Sequence, residues 1–341
     1  MAFEISRVDR AAAPEQVLRE LAAYYDVMDA EDLPDDPPTP AESRIARWRN
    51  PTKDYAENVW VLREDGEIRG LALAGYDLEQ NLQNGEGQIH VRPEHRGRGF
   101  ARALATPMFD DLEENGRVRF ATGVKDARPA EALVTRLGLK AVYHEKRSRL
   151  LIADLDMDLM ESWISRAAER AGDYELRYVA LPLPDEIVEP YCELWGVMNT
   201  APREDYQTED EVLTPEVWRD YERSLLNQKR QLHNLIAVHS PTGEFAGFTQ
   251  INTQDLQPDL AWQWNTGVHP EHRNKGLGRW LKAEMIRRIV DEYPNVTRID
   301  TWNAGSNEPM LNINVEMGYK PIFLSTIWQG ELATVRERFG A

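Results

Sequence analysis

The chain has little cysteine, no long apolar run and a deficit of positive charge. A single cysteine, Cys192, in 341 residues excludes an intramolecular disulfide and a cysteine-rich zinc site, and it fits a reducing compartment. Its neighbours Tyr191 and Leu194 suggest a buried helix position, where a thiol behaves as a small hydrophobe. No run of eighteen or more apolar residues occurs, and no basic segment with an apolar one behind it follows Met1. The expectation is therefore a soluble cytoplasmic protein that does not engage membranes. Lysine and arginine number 40 against 58 aspartate and glutamate, a net charge of −18 and a pI near 4.9. That balance argues against nucleic-acid partners, which are held through cation–phosphate contacts. The seven histidines form no His-x-x-x-His pair, so no metal site is expected, and the lack of Gly-x-x-x-x-Gly-Lys-Ser/Thr sets an ATP loop aside.

What the chain does have is one phrase written twice. Val91-Arg92-Pro93-Glu94-His95-Arg96-Gly97-Arg98-Gly99-Phe100-Ala101 is matched by Val268-His269-Pro270-Glu271-His272-Arg273-Asn274-Lys275-Gly276-Leu277-Gly278. The two arginines Arg96 and Arg273 stand 177 residues apart, about half the chain, so the period is a whole domain and not a solenoid unit. Each copy follows a strand-like run and precedes a helix-periodic one (Ala103, Leu104, Met108, Phe109, Leu112; Leu277, Leu281, Met285, Ile289). Strand, glycine turn and helix make an anion trap, because glycines admit a ligand close to the backbone and the unpaired N–H groups of the new helix favour phosphate oxygens. The side chains nearby are basic: His95, Arg96, Arg98 and Arg102 in the first copy, His272, Arg273, Lys275, Arg279 and Lys282 in the second. On so acidic a chain, a diphosphate ligand would give these clusters a cause.

Each half shows the same order of elements. The first opens with a strand at Phe3–Val8 and a helix at Pro14–Met28. An acidic, proline-rich loop and a short helix near Ser43–Trp48 lead to a hairpin, Val59–Leu62 with Ile68–Gly75. After the glycine turn come a strand at Val118–Val124, a helix at Pro129–Leu137 and a strand through Val142–Ile152. The second half repeats this from Tyr174–Val179 to a strand near Pro321–Trp328. The expected organisation is an N-terminal domain over 1–155, a helical connector over 156–172 and a C-terminal domain over 173–341. The connector carries Leu159, Trp163, Ile164 and Ala167 at helical spacing, so it should pack as a helix.

These motifs resemble the GNAT superfamily of acyl-coenzyme A-dependent N-acyltransferases. Its signature, Arg/Gln-x-x-Gly-x-Gly/Ala, is matched by Arg96-x-x-Gly99-x-Ala101 and Arg273-x-x-Gly276-x-Gly278. The family's helix motif is approached by Asn307-Glu308-Pro309-Met310 through Asn314 to Met317-Gly318-Tyr319; the first half keeps only Leu137-Gly138-Leu139. The resemblance implies an α/β fold of two tandem domains, each a mixed, splayed β-sheet flanked by helices, and acetyl transfer from acetyl-CoA to an amine. It implies that the turn amides of Arg96, Gly97, Arg98, Gly99, Phe100 and Ala101, and of Arg273, Asn274, Lys275, Gly276, Leu277 and Gly278, hold the pyrophosphate. Val91 and Val268 would pair with the pantetheine arm. Asn303 and Asn307 would hydrogen-bond the arm, although capping alone explains Asn307, with Pro309 in the following turn.

The family's acid and base are less complete. A glutamate on the fourth strand is often the base; Glu86 stands there in the first half, beside Gly85, where it also reads as a solvated turn carboxylate. The matching residue of the second half is Gln263, which cannot accept a proton at neutral pH. The family's acid, a tyrosine, is Asn314 in the second half and Val134 in the first. Three routes stay open: water with His269 and a positioning role for Asn314, Glu86 with His90, or one half that binds without catalysis. The second half is favoured because its signature is fuller and Trp262, Trp264 and Trp302 lie near the place where acyl and acceptor groups would meet. Trp262 and Trp264 alternate onto one face, as pocket walls or as core. The acceptor would be a small-molecule or peptide amine, drawn if cationic by the acidic surface. The reading from another class is a non-catalytic acyl-CoA binding or regulatory protein.

Overall fold

The computed structural model describes residues 3–125 and 130–341. The first half runs β1 (Phe3–Val8), α1 (Glu15–Asp32), α2 (Ala41–Arg49), β2 (Tyr55–Glu64), β3 (Glu67–Asp77), β4 (Asn84–Val91), α3 (Phe100–Glu114), β5 (Arg119–Lys125), α4 (Ala130–Arg136) and β6 (Lys140–Leu151). The connector is α5 (Met157–Arg170), and it begins where Asp156 accepts a hydrogen bond from the Leu159 N–H. The second half runs β7 (Tyr174–Ala180), α6 (Asp185–Trp195), α7 (Pro215–Asn227), β8 (Arg230–His239), β9 (Glu244–Gln254), β10 (Leu260–Val268), α8 (Leu277–Glu292), β11 (Arg298–Ala304), α9 (Glu308–Glu316), β12 (Lys320–Glu331) and α10 (Leu332–Phe339). Pro129, the expected first residue of the α4 helix, lies outside the described residues.

The fold is α/β with mixed pairing and two halves of the expected kind. The backbone, however, does not compact along the sequential partition at 155 and 173. One compact unit gathers residues 1–144, 204–209 and 324–341, and the other gathers 145–203 and 210–323. The cause is an exchange of final strands. β12 of the second half pairs antiparallel with β5, Ser325 against Lys125 through Glu331 against Arg119. β6 of the first half pairs antiparallel with β11, Arg298 against Leu151 through Ala304 against Glu145.

In the first unit the strand order is β1-β2-β3-β4-β5-β12. One face carries α3, whose Leu104, Met108, Phe109 and Leu112 bury against Leu62, Ala72, Ala74 and Phe120, closed by Leu332 and Val335 of α10. The other carries α1 and α2, with Leu18, Leu21, Tyr24 and Trp48 against Val59, Val61 and Leu71. β4 extends beyond the Gln88–Val91 run that the sequence marks as strand-like, because Gly85 and Gly87 belong to it: a Cβ on Gly87 would sit 2.8 Å from the Met108 sulfur and 2.7 Å from the Phe120 ring. Glu86 is thus an exposed strand residue opposite Gly75 and not a turn carboxylate. The hairpin is likewise longer than expected, and α10 was not expected at all, although Leu332, Val335 and Phe339 carry its buried stripe.

In the second unit the order is β6-β11-β10-β9-β8-β7. Leu277, Leu281, Met285, Ile286 and Ile289 of α8 bury with Met160 and Trp163 of α5 against Leu150, Ala261 and Ile299. Tyr191, Trp218, Leu225 and Phe248 form the core under α6 and α7. Each such side chain withdrawn from water contributes about 1.5–3 kcal/mol, and these two layers hold β10 and β11 in place. β10 and β11 run parallel only from Leu260 with Arg298 to Gln263 with Thr301. Beyond that point β10 carries a bulge between Gln263 and Thr266 in its pairing with β9. β4 pairs with β3 in unbroken register from Glu86 to Val91.

Candidate functional site

Both glycine turns form as the sequence predicts. A short 3-10 turn at Pro93–His95 or Pro270–His272 follows the strand, and the helix opens on a left-handed glycine, Gly99 at φ 83° or Gly276 at φ 85°. Gly97 at φ 77° and Asn274 at φ 66° are also left-handed, and this alternation turns successive N–H groups toward one point. Among the described residues no protein acceptor takes the N–H groups of residues 274–279, which is what a diphosphate needs. A Cβ on Gly276 would meet nothing within 4 Å, so the space over these donors is open. Phe100 and Leu277 bury their side chains and anchor the two helices from below.

The signature arginines have a structural duty. Arg96 donates from Nε to the Val91 carbonyl at 2.9 Å, and Arg273 donates from Nε to the Val268 carbonyl at 3.0 Å. Each locks the strand end to its turn. Beyond this the two turns part company. In the first, Arg96 also reaches Glu31 at 2.7 Å, and Arg98 grips buried Glu64 through both nitrogens, at 2.8 and 2.5 Å. The Arg98 hydrogen bonds hold the Glu64 carboxyl below the usual range. Burial raises Glu31, but its bonds to Arg96 and His90 outweigh this and lower it. The first turn therefore carries its own counter-anions, a correction to its reading as a free basic cluster.

In the second turn the partners of Arg273 and Lys275 are neutral. Arg273 donates to Thr200 Oγ1 at 2.6 Å, and Lys275 to the Tyr174 hydroxyl at 2.6 Å, which also bonds His272 Nδ1 at 2.7 Å. Burial first, then Lys275, lowers the His272 pKa. Arg279 pairs with Glu316 at 2.7 Å. Lys282, counted among the cations of this turn, is not one: it is buried in the core with its ammonium 5.5 Å from the Tyr319 ring centroid.

The other expected site residues divide between the units. Asn314 and Asn303 come together, Asn314 Nδ2 donating to Asn303 Oδ1 at 2.7 Å. Asn314 is 2% exposed, and its Oδ1 has no donor; a pantetheine amide N–H would supply one. Asn307 caps α9, accepting from the Met310 N–H at 3.4 Å. His269 is exposed at the end of β10; its backbone N–H bonds the Ala246 carbonyl, and its ring lies 5.9 Å from that of His272. In the first unit Glu86 accepts from the Tyr55 hydroxyl, which burial and then Glu86 push well above the usual tyrosine range. His90 is bonded at 2.8 Å to both Tyr24 and Glu31 and lowered chiefly by burial.

Gln263 is buried and spans strands, donating to Thr249 Oγ1 at 3.1 Å and the Gln250 carbonyl at 2.7 Å. Trp264 packs at the α6–α7 core, its ring 5.8 Å from Tyr221. Trp262 lies under the Arg147 guanidinium at 4.7 Å, while Trp302 is 40% exposed beside Phe323. Sequence reasoning missed Glu31, Glu64, Tyr174 and Thr200, which reach the turns from distant segments with no motif to mark them. Cys192 is buried and its thiol pushed up to about 11 by that burial, which suits a core residue and not a nucleophile. No helix among the described residues is long and apolar enough to cross a membrane.

Two splayed α/β units, each with a glycine turn that presents open backbone donors to an anion, define an anion-binding α/β class, which the family match narrows to acyl transfer. The chain belongs to the GNAT acetyltransferase family, whose model matches residues 21–139 and again 195–319. A tandem GNAT protein from the clavulanic acid biosynthesis pathway superposes with TM-score 0.77 at 22% identity, over 97% of this chain and 99% of that one. A GCN5-related N-acetyltransferase from Sphaerobacter thermophilus gives TM-score 0.66 at 16% identity, over 97% and 96%. A glucosamine N-acetyltransferase region of a fungal multi-domain GH3 β-N-acetylglucosaminidase gives 0.67 at 14% identity, over 96% of this chain and 38% of that one. Comparison with curated proteins returns no significant match.

Proposed function

We propose that the chain is an acetyl-CoA-dependent N-acetyltransferase that acts on an amine by direct attack on the thioester, with the second unit as its cofactor site. The observation that carries this is a contrast between two turns that both present open donors: Arg273 and Lys275 have neutral partners, whereas Arg96 and Arg98 of the first unit are already matched by Glu31 and Glu64. Acetyl-CoA, when bound, supplies the activated thioester. The turn amides hold the diphosphate, the Val268 backbone pairs with the pantetheine arm, and Asn303 and Asn314 fix an amide of it. The bulge in β10 turns main-chain groups toward the acyl carbonyl. Gln263 gives no base, so the proton leaves the acceptor ammonium through water, with His269 as the nearest titratable group on that strand end. The acidic surface steers a cationic acceptor amine toward the site.

A charged substitution tests the location. Gly276→Asp places a carboxylate where the diphosphate sits, and Gly276→Asn is its uncharged counterpart that still tolerates the left-handed backbone. Calorimetric titration with acetyl-CoA should show Gly276→Asp weakening binding about tenfold to a hundredfold more than Gly276→Asn does, and Gly99→Asp leaving it unchanged. Unchanged binding in Gly276→Asp together with loss in Gly99→Asp would move the site to the first unit and make Glu86 the leading base. The absence of a carboxylate at Gln263 and of a tyrosine at Asn314 favours a second reading, a protein that binds acyl-CoA without turnover. Tight binding with no product from a broad amine panel would select it.

A further inference from the structure

A cavity of about 210 Å³ lies against the second glycine turn, between that turn, the C-terminal half of α5 and the end of α9. Arg166 and Arg170 of α5, Lys275 and Arg279 of the turn and α8, and Glu316 of α9 line it, with Trp163 at its base. Four cations thus face one carboxylate. Arg279 takes that carboxylate at 2.7 Å and also lies 5.4 Å over the Trp163 ring. Lys275 has only the Tyr174 hydroxyl, and Arg166 and Arg170, both exposed, have no hydrogen-bonding or ionic partner among the described residues. Three positive charges are left facing one cavity on a chain of net charge −18. Like charges so gathered repel, and an anion offsets that cost.

The first unit has a comparable helix pair in which one arginine of the outer helix is matched. There α10 lies on α3 as α5 lies on α8, but its Arg336 is bound by Asp110 at 2.5 Å and Glu113 at 2.6 Å. Arg166 and Arg170 of α5, without such partners, line the cavity beside the second turn.

We propose that Arg166 and Arg170 of the connector helix bind the 3′-phosphate of coenzyme A while the turn amides hold its diphosphate. This rests on the cofactor reading above and gives α5 a binding role in addition to packing. A phosphomonoester matches the site because it carries up to two charges and three acceptor oxygens, which guanidinium groups meet with short, charge-assisted hydrogen bonds. The consequence is selection by the connector between coenzyme A and its 3′-dephospho form.

The experiment is calorimetric titration of the full chain with acetyl-CoA and with acetyl-3′-dephospho-CoA at one ionic strength. Wild type, Arg166→Ala/Arg170→Ala and Arg166→Lys/Arg170→Lys are compared. Wild type should prefer acetyl-CoA by about tenfold or more. The alanine pair should lose that preference with dephospho-CoA affinity held within about twofold, and the lysine pair should keep most of it. Equal wild-type affinities for the two ligands, a preference that survives the alanine pair, or an equal loss of both ligands in that pair overturns the proposal and leaves the cofactor reading standing. Failure of wild type to bind either ligand overturns that reading and this proposal together.

Discussion

At the scale of single residues, Lys282 shows how far the two halves have diverged under one fold. It is 1% exposed, and burial lowers its pKa to about 7. The Tyr319 hydroxyl near it also lacks a partner. The matching places in the first half, by the spacing of the two signatures and of the two glycine-ended helices, are Ala105 and Leu139, both apolar and buried. An amine whose folded pKa lies below its unfolded value near 10.4 destabilises the native state wherever the unfolded chain is protonated and the fold is not, and fully below about pH 7. Lys282→Met, of similar volume, should therefore stabilise the protein by on the order of 4 kcal/mol at pH 7. The gain should shrink toward nothing as pH rises to about 10.5, because neither state then carries the charge. Urea denaturation at pH 7 and pH 10 measures this, and a gain independent of pH would mean that packing and not charge is responsible. The sequence placed Lys282 beside the turn because helical spacing alone does not say which face of α8 meets the sheet there. The turn glycines were legible because a left-handed helix start needs that residue type at a fixed offset; Asn303 and Asn314 were singled out separately, and their hydrogen bond was not. Glu31 and Glu64 were not, since an ion pair formed across 65 or 34 residues leaves no local pattern.

At the scale of elements, the strand–turn–helix units were readable from the repeated phrase, and the connector helix from its spacing. The pairing of β6 was not, because its alternation is compatible with either edge it could join. What fixes it is partly electrostatic. Asp300 of β11 is fully buried and takes hydrogen bonds from Arg147 at 2.6 Å and Arg149 at 2.7 Å, both on β6. Removing one partner from a buried ion cluster leaves charge without compensation and costs more than an intact cluster contributes. Asp300→Asn should destabilise the second unit by about 3 kcal/mol, read as an earlier urea transition and as faster amide exchange in β6 and β11. A neutral result would show that the strand is held by its backbone ladder and apolar contacts alone.

At the scale of the whole chain, two tandem halves were legible, but the compact units are not those halves, because final strands change places. The notion of cutting the chain at residue 155 or 172 to obtain an isolated domain fails on that ground: each piece would lack a strand that completes its sheet and would keep one that belongs elsewhere. Deleting residues 324–341 removes most of β12 and all of α10, and with them Leu332 and Val335 of the first core. Hydrogen exchange on the truncated chain should show protection lost through β2, β3, β4 and α3 while α8, β9 and β10 keep theirs. Uniform protection in both units would mean that the exchanged strand is dispensable.

The exchange also orders events in time. β5 emerges from the ribosome early, yet the strand that covers its edge, Ser325–Glu331, is made some 200 residues later. At about 5–20 residues per second that is roughly 10 to 40 seconds in which a nascent sheet edge stands open to any strand that passes. The half synthesised first is thus the half that finishes last, and its safe maturation depends on how fast the remainder of the chain is translated.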